Sequence, residues 1–220
     1  MRYRLAKFRT ARQRLTTRFR CAGLAFATLL AAGCAAPHRE SAALYDLGLL
    51  PPTTVAAPAA GAARPLPALS VAEPTVPTWL DRQTMMYRLA YANDLQPHAY
   101  AGSRWSSPPV QLFTQRLKAR IGQVGGVVVP ASDGALNALT LHIEADDFSQ
   151  VFNGPAESFA NISVRVSLLR ERLLVGQKTF AARMPAPTPD AQGGVRALSQ
   201  ASDTVIEDMT RWLATIPPQK

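Results

Sequence analysis

Leu139-Thr140-Leu141-His142-Ile143-Glu144-Ala145 and, after the turn residues Asn153-Gly154-Pro155, Ala160-Asn161-Ile162-Ser163-Val164-Arg165-Val166-Ser167-Leu168 together decide the fold class. In the first run Leu139, Leu141, Ile143 and Ala145 alternate with Thr140, His142 and Glu144. In the second, Ala160, Ile162, Val164, Val166 and Leu168 alternate with Asn161, Ser163, Arg165 and Ser167. A period of two puts the apolar side chains on one face of a strand. Both runs therefore predict a sheet with one buried face and one face left to water or a partner. The alternation breaks at Asp146-Asp147, and a bulge there would return Phe148 to the apolar side. A turn near Arg170-Glu171-Arg172 leads to a last strand through Phe180, Ala182 and Met184.

Two stretches of helical period supply the cover. After Ser107, a plausible N-cap, Pro108 fits a first helical position. Val110, Phe113, Leu117 and Ile121 then form an apolar stripe, with Gln111, Gln115, Lys118 and Arg120 placed away from it. Gly122 and Gly125-Gly126 end the helix, and Val127-Val128-Val129 reads as a short buried strand. Near the C-terminus, Pro185, Pro187 and Pro189 mark a loop and Asp190 can cap a second helix. Its stripe, Val195, Leu198, Ser202, Val205, Met209 and Trp212, has spacings of 3, 4, 3, 4 and 3. Fewer than three heptads fits a helix lying on a sheet better than a coiled coil. The expectation is an α+β fold: a two-layer sandwich, mostly antiparallel sheet, with two amphipathic helices on one face.

The remaining elements are less marked. Ala43 to Leu50 alternates weakly and reads as a short strand, and Leu66 to Ala72 as another. Between them the Pro/Ala-rich residues 51–64 lack any period and read as a semi-rigid loop. Met85, Tyr87, Leu89 and Tyr91 share a strand face, Asn93-Asp94 suits a hairpin turn, and Leu95 to Ala101 returns as an edge strand because Pro97 cannot donate to a ladder.

At the N-terminus a basic tract, Met1 to Arg20, precedes a mostly apolar stretch, Cys21 to Ala32, and then Gly33-Cys34. That order is a secretory signal, and its apolar part is shorter than the ~20 residues a membrane span needs. Leu29-Leu30-Ala31-Ala32-Gly33-Cys34 resembles the lipobox of bacterial lipoproteins, with Ala31 where leucine is usual. The reading is cleavage between Gly33 and Cys34 and acylation of Cys34; an ordinary secretory signal with an incidental cysteine is the alternative. It divides the chain into a signal peptide at 1–33, a lipidated tether at 34–42, a domain at 43–215 and a tail at 216–220. Eight of the 24 Lys and Arg residues precede Cys34 and no acid does, which leaves 16 bases against 15 acids. The basic balance belongs to the export signal, so nothing points to nucleic acid. Cys21 leaves with the signal and Cys34 is lipidated, so the mature chain has no disulfide.

Chemistry-bearing constellations are absent. His38, His98 and His142 share no metal-ligand spacing, and no nucleophile elbow or phosphate-binding glycine motif occurs. Glu144, Asp146 and Asp147 cluster without the spacing of a calcium loop. Trp79, Tyr87, Tyr91, Tyr100 and Trp105 concentrate in one region, where core packing competes with an interface role. No catalytic residue, metal site or cofactor is expected, and the chain reads as a non-enzyme.

The ordered series carries a resemblance. Tyr45-x-Leu47 follows the lipobox; Val76-Pro77-Thr78-Trp79-Leu80-Asp81-Arg82 leads to Met86-Tyr87-Arg88; Arg104-Trp105 precedes a proline-started helix. Leu139-x-Leu141-x-Ile143 runs on to Phe148-x-Gln150-Val151-Phe152, and the closing helix carries Ala197-Leu198 and Trp212-Leu213. Over about residues 43–214 this resembles the ABC-type transport auxiliary lipoprotein family, of the paraquat-inducible protein C kind. The resemblance implies an α/β sandwich without catalytic residues. It implies a lipoprotein that works with an MCE-domain protein and an ABC permease in lipid transport between the two envelope membranes, and leaves a homo-oligomer open. Ala35 after the cysteine, rather than a retaining aspartate, implies an outer-membrane anchor with the domain in the periplasm. The chain departs from the family by its 51–64 insert and its long basic n-region. An anchored envelope hydrolase and a pilotin-like assembly lipoprotein are the alternatives.

Overall fold

The alternating run begun at Leu139 continues through its bulge to Gly154, and the rest of the sheet pairs outward from it. The computed structural model describes residues 41–52, 66–130 and 138–217. In chain order its elements are β1 (Ala43–Tyr45), β2 (Leu69–Val71), β3 (Thr84–Leu89), β4 (Asn93–Trp105), α1 (Pro109–Gln123), β5 (Val128–Val129), β6 (Leu139–Gly154), β7 (Glu157–Arg170), β8 (Leu173–Pro185) and α2 (Ala191–Leu213). Gly33 and Cys34, read as the cleavage and acylation site, His38, most of the 51–64 stretch and the end of the tail lie outside the described residues.

One edge of β6 is zipped antiparallel to β7, and β7 to β8. The other edge of β6 is shared in series by two strands running parallel to it. β2 puts Leu69 opposite Leu139, and β3 puts Tyr87 opposite Gln150. Between them Thr75 bridges to Glu144. Past β6 the sheet forks: β5 lies parallel beside β2, while β4 lies antiparallel beside β3 and carries β1, parallel, on the far side of its last residues.

The sheet is therefore mixed, not mostly antiparallel: β1–β4, β2–β5, β2–β6 and β3–β6 are parallel pairs. Alternation reports which face a side chain takes, not which way the strand runs. Here the chain from β2 to β3, through Pro74 and Pro77, follows β6 in the same direction instead of reversing through a hairpin.

The faces are those the alternation predicts. Leu139, Leu141, Ile143 and Ala145 of β6 and all five apolar positions of β7 from Ala160 to Leu168 are buried together. The register shifts between Ala145 and Asp147, and Phe148 regains the inner side, edge-on to Trp105 at 5.9 Å between ring centroids. α2 packs over β7 and β8 and α1 over β5 and β6, the two helices touching. Val110, Phe113, Leu117 and Ile121 are all in the core, as are Val195, Leu198, Val205 and Met209. Trp212 is half-buried at the end of the stripe, edge-on to Phe180 at 5.8 Å.

Local details differ from the sequence reading. Pro108 is the N-cap of α1 and Pro109 its first residue, and no side chain caps the helix. The β3–β4 turn falls at residues 90–92, so Asn93 already belongs to β4. Pro97 sits opposite Arg88, on a stretch of β4 with β3 as its one neighbour among the described residues. Arg120 is buried rather than turned to water.

Candidate interaction surface

The outer face of β6, β7 and β8 is a polar lattice. Arg165 donates to Glu144 at 3.2 Å, and its second terminal nitrogen lies 4.0 Å from Asp146. Asp147 accepts from Ser149 Oγ and from Asn161 Nδ2, each at 2.7 Å, while Asn161 Oδ1 accepts from Arg183 at 3.1 Å. Glu144, Asp146 and Asp147 are thus engaged across the strands with cations and amides. Among the described residues no group of three or more His, Cys, Asp or Glu side chains is placed to hold a metal ion. His142 is exposed on this same face. Exposed ion pairs of this kind contribute ~0–1 kcal/mol each to stability. They leave Arg165 available for exchange with a partner's charges. Beside this face runs the far edge of β8, which pairs with no strand among the described residues. An unpaired edge offers backbone donors and acceptors to an added strand.

On the inner face, along β3, β4 and the end of β6, four rings gather. Tyr87 stacks on His98 at 5.2 Å and touches Tyr100 at 4.6 Å and Phe152 at 5.7 Å. Tyr100 donates its hydroxyl to Gln150 Oε1 at 2.9 Å, and Gln150 Nε2 donates to Ser158 Oγ at 2.8 Å. Burial, with Tyr87 and Asp190 nearby, pushes the Tyr100 phenol far above its ordinary range, so it stays a donor. Of the aromatics clustered in sequence, Trp105 is core, Trp79 is half-buried with Arg88 6.0 Å from its ring centre, and Tyr91 is exposed at the hairpin tip.

One constellation has no counterpart in the sequence reading. The Arg116 guanidinium meets Asp203 in a two-point pair, Nε to Oδ1 and Nη2 to Oδ2, both 2.8 Å. Its Nη1 donates to the carbonyls of Leu47 at 3.1 Å and Gly48 at 3.0 Å. Arg120 reaches the Pro51 carbonyl at 3.3 Å, and Ser199 Oγ donates to the Leu47 carbonyl at 2.6 Å. Both helices thereby grip the segment after β1, which explains why Arg120 is buried. The signal available beforehand was two arginines at i and i+4 beside an apolar stripe; their partner lies 87 residues away.

Among the described residues no helix is long and apolar enough to cross a membrane. A family model described as the ABC-type transport auxiliary lipoprotein component matches residues 45–210. No curated protein matches the chain. Protein XCC0632 from Xanthomonas campestris shares the fold with a TM-score of 0.60 at 22% identity, over 69% of this chain and 87% of that one. A solved structure of an uncharacterized protein aligns with a TM-score of 0.62 at 20% identity, over 79% of this chain and 99% of its own. With a match running from the end of β1 nearly to the end of α2, this chain belongs to the ABC-type transport auxiliary lipoprotein family.

Proposed function

We propose that this chain is a lipid-anchored, non-catalytic accessory component of an MCE-type intermembrane lipid transport system. It is exported by residues 1–33, cut between Gly33 and Cys34, acylated on Cys34 and tethered by 34–42, so that the domain at 43–215 works in the periplasm from the outer membrane. Its partners are an MCE-domain protein and the ABC permease of the same system. The observation that carries the reading is the family match over 45–210. The polar β6–β8 face and the open β8 edge add a surface suited to a protein partner.

Two experiments test it. Replacing Cys34→Ser should release the protein into the soluble periplasm or trap the uncut precursor, because each buried acyl methylene is worth ~0.8 kcal/mol and several chains hold effectively permanently. A photoreactive residue at Arg165 should crosslink the MCE-domain protein in cells, and deleting the gene should reproduce the envelope sensitivity that follows loss of that partner. Unchanged fractionation of the Cys34→Ser protein would overturn the anchor. Hydrolase activity abolished by one substitution that leaves the melting curve intact would overturn the non-catalytic role, and capture of a secretin at Arg165 would favour assembly over transport.

A further inference from the structure

Leu49, 96% exposed, lies within the segment whose Leu47, Gly48 and Pro51 carbonyls Arg116, Arg120 and Ser199 hold, and Leu44, 65% exposed, stands in β1 just ahead of it. Single exposed leucines on a surface are ordinary, but this one sits on a built turn. Asp46 Oδ1 accepts from the Gly48 N–H at 2.7 Å, and Gly48 has a φ of +71°, a conformation in which a side chain is strained. Leu47 is buried beneath, and the carbonyls of Leu47 and Gly48 are both held by Arg116. The turn therefore fixes Leu49 outward.

Between this segment and the first turns of α2 lies an open groove of about 640 Å³. Leu44, Leu47 and Val195 supply apolar lining, while Asp46, Gln192, Arg196 and Gln200 lie exposed along it. Exposed leucine beside Arg196 and two amide side chains suits the acyl and phosphate layers of a bilayer surface, and the Asp46 carboxylate is tied into the turn by the Gly48 N–H.

We infer that this edge of the domain, Leu44 to Leu49 with the groove beside it, rests against the bilayer that holds the anchor. The inference builds on acylation of Cys34. Cys34 lies ten residues before Leu44, and ten residues span at most ~35 Å. The turn is thus held within reach of the membrane whatever path the tether takes. Burying a leucine side chain contributes ~1.5–3 kcal/mol, too little to anchor the domain alone but enough to set its orientation once tethered. The β6–β8 face and the β8 edge are built from other strands and stay available to protein partners.

The test uses the mature lipidated chain in vesicles of phosphatidylethanolamine and phosphatidylglycerol. With the Cys34 thiol acylated and Cys21 removed, Leu49→Cys provides one free thiol for an environment-sensitive dye, and Arg165→Cys provides the control. Mass measurement of the acylated N-terminus and flotation with vesicles come first; failure there overturns the anchor and this inference with it. In protein that floats, the dye at 49 should shift to shorter wavelength and lose most of its emission to spin-labelled lipids, while the dye at 165 should do neither. Equal, weak quenching at both positions would overturn the membrane contact and leave the anchor standing. A blue shift that grows with protein density and resists lipid quenchers would assign the turn to a second copy and likewise overturn it. A dye at Leu44→Cys should repeat the result at 49.

Discussion

Arg116 and Asp203 form a two-point ion pair, with both nitrogen–oxygen distances at 2.8 Å, that ties α1 to α2 and hangs the segment after β1 from the same guanidinium. The arginine is nearly buried, with 5% of its side chain exposed against 22% for the aspartate. Removing one partner of a buried pair strands the other charge and costs about 3–5 kcal/mol. Asp203→Ala should fall near ~3 kcal/mol in a denaturant titration, because the arginine keeps two backbone carbonyls as partners. Arg116→Met with Asp203→Leu should cost less than the sum of the two single changes, since neither member of the pair is then stranded by loss of the other; the buried Arg120, which also lies 3.8 Å from Asp203, keeps the Pro51 carbonyl and Gln123 as partners.

The stripe of α2 should dominate stability. Leu198 is in the core beneath the helix and Trp212 is half-buried at its end. Leu198→Ala should cost about 2–5 kcal/mol, a large share of a domain's total of about 5–15. Trp212→Ala should cost less than Leu198→Ala, because part of its ring already meets water. Arg196 is exposed on the opposite side, so Arg196→Ala should leave the melting temperature nearly unchanged. Equal effects at all three positions would mean that the helix packs by another face.

Which of these features could be read beforehand follows from how local each is. The β6 and β7 faces, the bulge before Phe148 and both helix stripes each express a short-range period, and all appear in the structure. Strand direction is set by pairings between distant segments, as between Leu69 and Leu139; alternation is blind to it, and the sheet came out mixed. The Arg116–Asp203 clamp was hidden for the same reason. Gln150 did leave a trace. It stands between Phe148 and Phe152 on an apolar face, where a polar side chain signals a buried hydrogen-bond network. The reading of Cys34 as the acylated residue rests on its sequence neighbours alone, and Cys34 lies outside the described residues.

The cap of α2 should give the protein an acid-sensitive step. Asp190 accepts from the Gly193 N–H at 2.7 Å and from the Thr188 hydroxyl at 2.8 Å. The Gly193 bond most of all, then Thr188, the Gln192 N–H and nearby Arg196, hold its carboxyl below the usual carboxylate range, against a smaller upward push from burial. A folded-state pKa below the unfolded one contributes stability that is full above the unfolded value, near ~4, and is lost as pH falls through the lower folded value. Asp190→Asn should therefore keep most of the neutral-pH stability and flatten the loss below about pH 4. Asp190→Ala should cost about 1 kcal/mol at neutral pH. A wild-type acid profile unchanged in Asp190→Asn would refute the assignment.

Gly194 and Gly122 should respond to alanine with opposite signs. Glycine inside a helix costs roughly 0.5–1 kcal/mol relative to alanine, so Gly→Ala ordinarily stabilises. Gly122 in α1 has open space where a Cβ would stand, and Gly122→Ala should follow that rule. At Gly194, in the first turn of α2, a Cβ would overlap the side-chain amide of Gln150. Gln150 is buried and engaged at both ends, accepting from Tyr100 and donating to Ser158. To make room it must leave that position, stranding polar groups at about 1–3 kcal/mol. Gly194→Ala should thus destabilise by about 1–2 kcal/mol net of the helix gain. Combining it with Gln150→Ala should cost less than the sum of the two single changes, because the overlap is already relieved. Additive effects in that cycle would show that the close approach of α2 to β6 does not depend on the glycine.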